Sequence, residues 1–163
     1  MTPVRSLTEG ERALVRDVFG QALDARDVRI LASPFPRAFA PGRWFGRDWI
    51  VWPRRRLPPD LSAAPLNAQA TFVHELVHVW QARQGINLAL AKLKAGDRPE
   101  SYVYPVSDDC RWAGLNIEQQ ASLVEHAFRL SRGGRAPARS AFYRAVAPFP
   151  LCGAGGGDDL TSA

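Results

Sequence analysis

Residues 65–85 read PLNAQATFVHELVHVWQARQG, and the reading of this stretch decides the rest. Pro65 stands where a first helical turn tolerates a residue without an N–H, and Gly85 stands in the usual position just past a helix end. A helix is therefore predicted from about Pro65 to Gln84. His74-Glu75-Leu76-Val77-His78 lies mid-way along it. Positions four apart share one helical face, so the two imidazoles point the same way and can share one cation. Glu75 sits about 100° further round, close enough to reach a water at such an ion without ligating it. Two neutral nitrogens hold the metal and the carboxylate between them handles the proton, which is why zinc hydrolases use this spacing. Leu76, Val77 and Trp80 supply the apolar face that a core helix needs. With three His in the chain, random placement yields H-E-x-x-H in roughly one such chain per thousand.

A catalytic zinc site usually takes three protein ligands plus water. The longer H-E-x-x-H-x-x-G-x-x-H pattern does not supply the third, because Gln81 and Gln84 stand where it needs glycine and histidine. Glu118, Glu125, His126, Asp108, Asp109 and Glu100 are the candidates. Glu118 opens a second predicted helix, from about Asn116 to Ser131, and shares a face with Ser122 and His126; Glu125 lies near that face. By spacing alone, Glu118 as ligand and Glu118 as a solvent-facing acid favoured by the helix dipole are equally good readings.

Around these two helices, Thr8 followed by Glu11 is a capping-box signature for a helix within residues 7–24. Val28 to Leu31 is predicted as a strand, residues 33–46 as loop with a hairpin, and Trp49-Ile50-Val51-Trp52 as the clearest strand, stopped by Pro53. Leu88 to Lys94 reads as a short helix and residues 95–115 as loop. Residues 1–132 are predicted as one domain. Residues 133–163 form a Gly/Pro/Ala-rich tail, largely flexible, with one short helical segment at Ser140 to Ala147 and disorder from Gly153 onward.

At 163 residues, 46% hydrophobic and 23% charged, the composition is that of a globular domain. No run approaches a membrane span, and the start lacks the apolar stretch of a secretory signal. A cytoplasmic protein is expected, with export by a non-classical route left open. Cys110 and Cys152 make neither a disulfide framework nor a paired metal spacing, and idle thiols are the expectation. Net charge is +5, yet only Lys92 and Lys94 among the 21 basic residues are lysine. The one dense run, Arg54-Arg55-Arg56, leads into Leu57-Pro58-Pro59 rather than an aromatic platform. A solvated loop is expected there, and nucleic acid is not an expected partner.

Phe72 to Gln81 together with Ile117-Glu118-Gln119-Gln120-Ala121 resembles the small bacterial Vgr-related proteins. These are similar in turn to the metallopeptidase-like core domain of extracellular contractile injection systems. The resemblance covers roughly residues 7–132. It implies an α+β, minimal zincin-like domain: a small sheet with an edge strand packed on the HExxH helix, and a second, Glu-bearing helix. It implies a gluzincin site with His74, His78 and Glu118 on zinc (Zn2+) and Glu75 as the catalytic base, hydrolysing peptide bonds in a peptide or protein substrate. The Trp49-to-Trp52 strand takes the place of the zincin edge strand. In that pattern an Asp four residues after the ligand Glu steadies a metal-binding His; here Ser122 stands in its place. The departure implies that zinc is held more weakly or that another acid, such as Asp108 or Asp109, substitutes. His126 is the second choice of ligand. The alternative function is a catalytically weak or inactive zinc-binding module associated with a secretion or injection apparatus.

Overall fold

The fully buried Val28, Ile30 and Ile50 alternate with more exposed neighbours and bring two strands side by side. The computed structural model describes residues 3–151. Strand β1 (Val4–Ser6) is followed by helix α1 (Glu9–Phe19), β2 (Val28–Ser33), β3 (Phe39–Trp44) and β4 (Arg47–Pro53). The sheet order is β1-β2-β4-β3, with β2 and β4 parallel and both outer strands antiparallel to their neighbours. The Trp49-to-Trp52 strand is thus central, not the edge. β3 is the edge strand on that side, with a bulge between Phe39 and Gly42. Local sequence could not show this, because β4 turns back from β3 and inserts beside β2.

Helix α1 begins as its capping box predicts: Glu11 N–H donates to Thr8 Oγ1, and the Glu11 carboxylate accepts from Thr8 N–H. That same buried carboxylate accepts two guanidinium bonds from Arg5 and the Leu61 N–H, tying β1, α1 and the approach to the next helix into one knot.

Helix α2 (Leu66–Arg83) is the central element, with Ala70, Phe72, Val73, Leu76 and Val77 fully buried. It ends where Gly85 adopts φ +85°, a left-handed conformation that costs glycine little, so that Ile86 N–H reaches back to the Gln81 carbonyl. Helices α3 (Leu88–Ala95), α4 (Ile117–Ser131) and α5 (Ser140–Val146) follow. Arg129 donates to Asn67 near one end of the α2–α4 pair, while His78 meets Glu118 near the other, so the two helices run antiparallel. The Arg54–Arg56 run is a single exposed helical turn, and no described helix is long and apolar enough to cross a membrane.

The chain after residue 133 does not hang free as far as it is described. Tyr143 on α5 is buried against Tyr104, and Phe149 packs its ring 5.1 Å from Phe19, 5.4 Å from Trp80 and 6.2 Å from Trp112. Gly, Pro and Ala dominate the composition of this stretch, and these two aromatic side chains are packed against the domain within its described part. The disorder expected from Gly153 onward, like Cys152, lies outside the described residues. Phe149→Ala is expected to destabilise the protein by about 3 kcal/mol, as deletion of a buried ring does. Chemical denaturation of both proteins measures this, and an unchanged midpoint would show that the segment contributes no packing.

Candidate metal centre

Helical periodicity places His74 and His78 on one face of α2, and the antiparallel packing of α4 sets Glu118 opposite them. Glu118 Oε2 lies 3.2 Å from His74 Nε2 and 3.2 Å from His78 Nε2. The three side chains offer ligand atoms all within 4.8 Å of one another, and they could hold a metal ion. Tetrahedral bonds of 2.0–2.1 Å would put neighbouring ligand atoms about 3.3 Å apart. The two His–Glu118 spacings of 3.2 Å lie close to that value.

The outer nitrogens of both rings are tied down. His74 Nδ1 lies 3.1 Å from Glu125 Oε2, and His78 Nδ1 lies 2.7 Å from Gln81 Oε1. Gln81 in turn donates to the Ile117 carbonyl and to Gln120 Oε1, anchoring His78 to the start of α4. Both acceptors favour a proton on Nδ1, which leaves each Nε2 lone pair aimed at the same point as the Glu118 oxygen. Three acceptors converging on one point repel one another unless a cation or a proton lies between them. The arrangement is one that could hold a cation.

The motif residues beyond the ligands now have physical roles. Gln119 closes a capping box with Asn116 at the head of α4. Gln81 and Gln120 hold the two helices in register through a buried amide pair. The capping box is a local contact, but the amide pair joins residues 39 positions apart and is not visible in sequence spacing.

Electrostatics agree with the geometry. Burial pulls the His74 imidazole down, but bonds to Glu118 and Glu125 overcome it and raise its pKa to about 9. Burial likewise opposes charge on Glu118, and the two imidazoles, with Lys92 Nζ at 3.8 Å from its other oxygen, hold it far below the usual carboxylate range. Glu125 is also held down, by His74 and by Arg129, against its burial.

The carboxylate that Ser122 does not provide therefore comes from Glu125, one turn later. The expectation that Asp108 or Asp109 would substitute is corrected: both are exposed, as is Glu100, and none belongs to the cluster. His126 does not belong to the cluster either; its Nδ1 meets Tyr104 Oη at 2.6 Å. Removing the outer carboxylate by Glu125→Ala is expected to weaken metal binding by about 10–100-fold, which competition with a chromophoric chelator reads directly. Full affinity in that variant would show that Glu125 does not steady His74.

The raised His74 value sets a pH dependence. Without metal, the His74 ion pairs contribute stability fully below the ordinary imidazole pKa of 6.5, and lose it as pH rises through about 9. A metal must displace that proton, so apparent affinity should gain about tenfold per pH unit from pH 7 to 9 and then level off. Affinity flat over that window would contradict a protonated His74 in the metal-free protein.

Glu75 points differently. It is only 5% exposed, and its Oε2 has no hydrogen-bond partner among the described residues. A buried unpaired carboxylate oxygen is costly, and no structural partner accounts for it here. Glu75 and His74 both line a cleft of about 590 Å³, whose walls include Arg37 and Ala38 just before edge strand β3, Trp52, Tyr102 and His126. Cys110, by contrast, is buried and its thiol is pushed up by that burial, which leaves it unreactive.

No protein-family model matches the chain. It is 30% identical, over an alignment of 159 residues covering 90% of the chain, to the type VI secretion system spike protein VgrG2b of Pseudomonas aeruginosa. The matched region is 15% of that protein's length. The solved effector domain of Pseudomonas aeruginosa VgrG2b superposes with a TM-score of 0.66 at 29% identity, over 86% of this chain and 80% of that one. This small α+β domain, a four-stranded sheet with five helices, is thus homologous to the effector domain of VgrG2b, which supports a place among the Vgr-related proteins.

Proposed function

We propose that this chain is a zinc-dependent peptidase of gluzincin type, with His74, His78 and Glu118 as metal ligands and Glu75 as general base. The single observation that carries the reading is the buried, unpartnered Glu75 Oε2 beside the convergent ligand atoms. A site that merely staples two helices needs no such carboxylate.

Two imidazoles and one carboxylate suit zinc, which when bound would supply Lewis acidity toward water and a peptide carbonyl. The chain's own residues do the rest. Glu75 accepts a proton as water attacks the carbonyl carbon, and returns it to the departing amine. Glu125 and Gln81 keep the two His rings from turning, so that this geometry is set before substrate arrives. An extended peptide is read as lying along the β3 side of the cleft, where the edge strand offers backbone groups for pairing.

Kinship to one domain of a spike protein is compatible with secretion-system components as partners, and the proposed chemistry takes a peptide or protein as substrate. The test is cleavage of a broad peptide library by the zinc-loaded protein and by its Glu75→Gln variant. Cleavage by the wild type alone supports the peptidase. One bound ion per chain with no cleavage by either would favour the inactive zinc-binding module.

A further inference from the structure

One imidazole on the cleft lies outside the candidate metal cluster. His126 sits two turns beyond Glu118 on α4 and is one of the residues that line the cleft. Behind it runs a chain of hydrogen bonds: His126 Nδ1 to Tyr104 Oη at 2.6 Å, Tyr104 Oη to Tyr143 Oη at 3.1 Å, and the Ala138 backbone N–H donating to Tyr143 Oη at 3.2 Å.

The far end of that chain sets its direction. A backbone N–H can only donate, so the Tyr143 oxygen accepts there. If Tyr143 then donates to Tyr104 and Tyr104 donates to His126 Nδ1, every proton in the series has an acceptor. In the reverse order the Tyr143 hydroxyl proton, on a side chain only 1% exposed, is left without one among the described residues. Burial, reinforced by Tyr143, pushes the Tyr104 hydroxyl well above its ordinary value, so Tyr104 keeps the proton that it donates. Burial holds His126 below the ordinary imidazole value, which favours the neutral ring. A neutral imidazole that accepts at Nδ1 carries its hydrogen on Nε2.

We infer that His126 presents a fixed Nε2–H to the cleft, as hydrogen-bond donor to the carbonyl oxygen of a bound peptide and to the negative charge that oxygen gains when water attacks. The inference deepens the peptidase reading and rests on it for the identity of the ligand. Three other side chains of donor type are engaged elsewhere. The Tyr102 hydroxyl donates to Asp97, Arg111 donates to the Asp108 and Cys110 carbonyls, and Tyr104 stands buried behind His126 itself. A donor held by a relay needs no reorganisation as charge develops, which makes it effective in this role.

The tautomer can be tested without any activity. With only three imidazoles in the chain, long-range 1H–15N correlation spectra of the zinc-loaded protein resolve each ring. His126 is expected as the neutral Nε2–H form at pH 7, and Tyr104→Phe should leave it a mixture of both tautomers. A protonated or Nδ1–H ring in the wild type overturns the relay. The donor role is tested with a phosphinic tripeptide, whose tetrahedral phosphorus carries an oxyanion. His126→Ala should weaken its binding to the zinc-loaded protein about 10–100-fold without changing zinc affinity, and His126→Gln, which retains an N–H, should recover part of the loss. Equal binding by His126→Ala and wild type, or no binding by wild type, overturns the donor role. The spectra report on His126 alone and the cleavage assay on Glu75, so a failure of this inference is distinguishable from a failure of the peptidase reading.

Discussion

Glu118→Gln is expected to lower metal affinity by more than about 100-fold while leaving the fold in place. Changes to the outer partners of a metal ligand cost about 10–100-fold, so loss of the one anionic ligand should exceed that range. The amide fills the same volume at the head of α4, where Glu118 is 4% exposed, so helix content should not change. Two further effects follow from the same contacts. His74 and His78 both lose the negative charge on the oxygen 3.2 Å away, and His74 loses part of the interaction that raises it, so the metal-free ring should release its proton at lower pH. Metal analysis after dialysis, competition with a chelator and circular dichroism together decide the matter. A well-folded Glu118→Gln protein that still retains one tightly held ion per chain would remove Glu118 from the ligand set.

Glu75→Gln is expected to act in the opposite way, keeping the metal and losing the chemistry. Proton transfer by a positioned side chain contributes about 10²–10⁴-fold to rate, so turnover should fall by that factor with little change in KM. The substitution removes a buried charge whose Oε2 has no partner, so the variant should be at least as stable as the wild type. This pairing of outcomes is informative. A side chain kept for structure would lower stability when changed and leave turnover per folded molecule alone. Peptide cleavage at unchanged rate by zinc-loaded Glu75→Gln would exclude Glu75 as the base.

Much of this site is legible along the chain because helices translate sequence distance into space by a simple rule. The four-residue spacing puts His74 and His78 on one face, Thr8 and Glu11 cap α1, and Asn116 and Gln119 cap α4, all through contacts within a turn or two. Glu118 could be named as ligand only through the family resemblance, since spacing left ligand and surface acid equally good. Glu125 was weighed as a ligand, not as the support of His74. The signal was its place near the Glu118 face, but a role opposite a residue 51 positions away depends on how two helices cross. Gln81 was noticed only as the residue that breaks the longer zinc motif. Its buried amide, bonded to His78, Ile117 and Gln120, ties His78 to the start of α4.

The sheet shows the same division. Residues 47–53 announce a strand by their β-branched and aromatic content, yet their place between β2 and β3 is a matter of non-local pairing that no local pattern encodes. The docking of Phe149 is similar, because three aromatic partners at positions 19, 80 and 112 meet only in the folded chain. By itself, then, the sequence determined the two motif helices, the paired imidazoles and the carboxylate between them, since these depend on interactions within a few residues. Only the tertiary structure decided which strand forms the edge, which carboxylate steadies His74 and which imidazole is left to face the cleft. Those depend on the packing of distant segments, where many arrangements satisfy the same local pattern and burial of the whole core selects one.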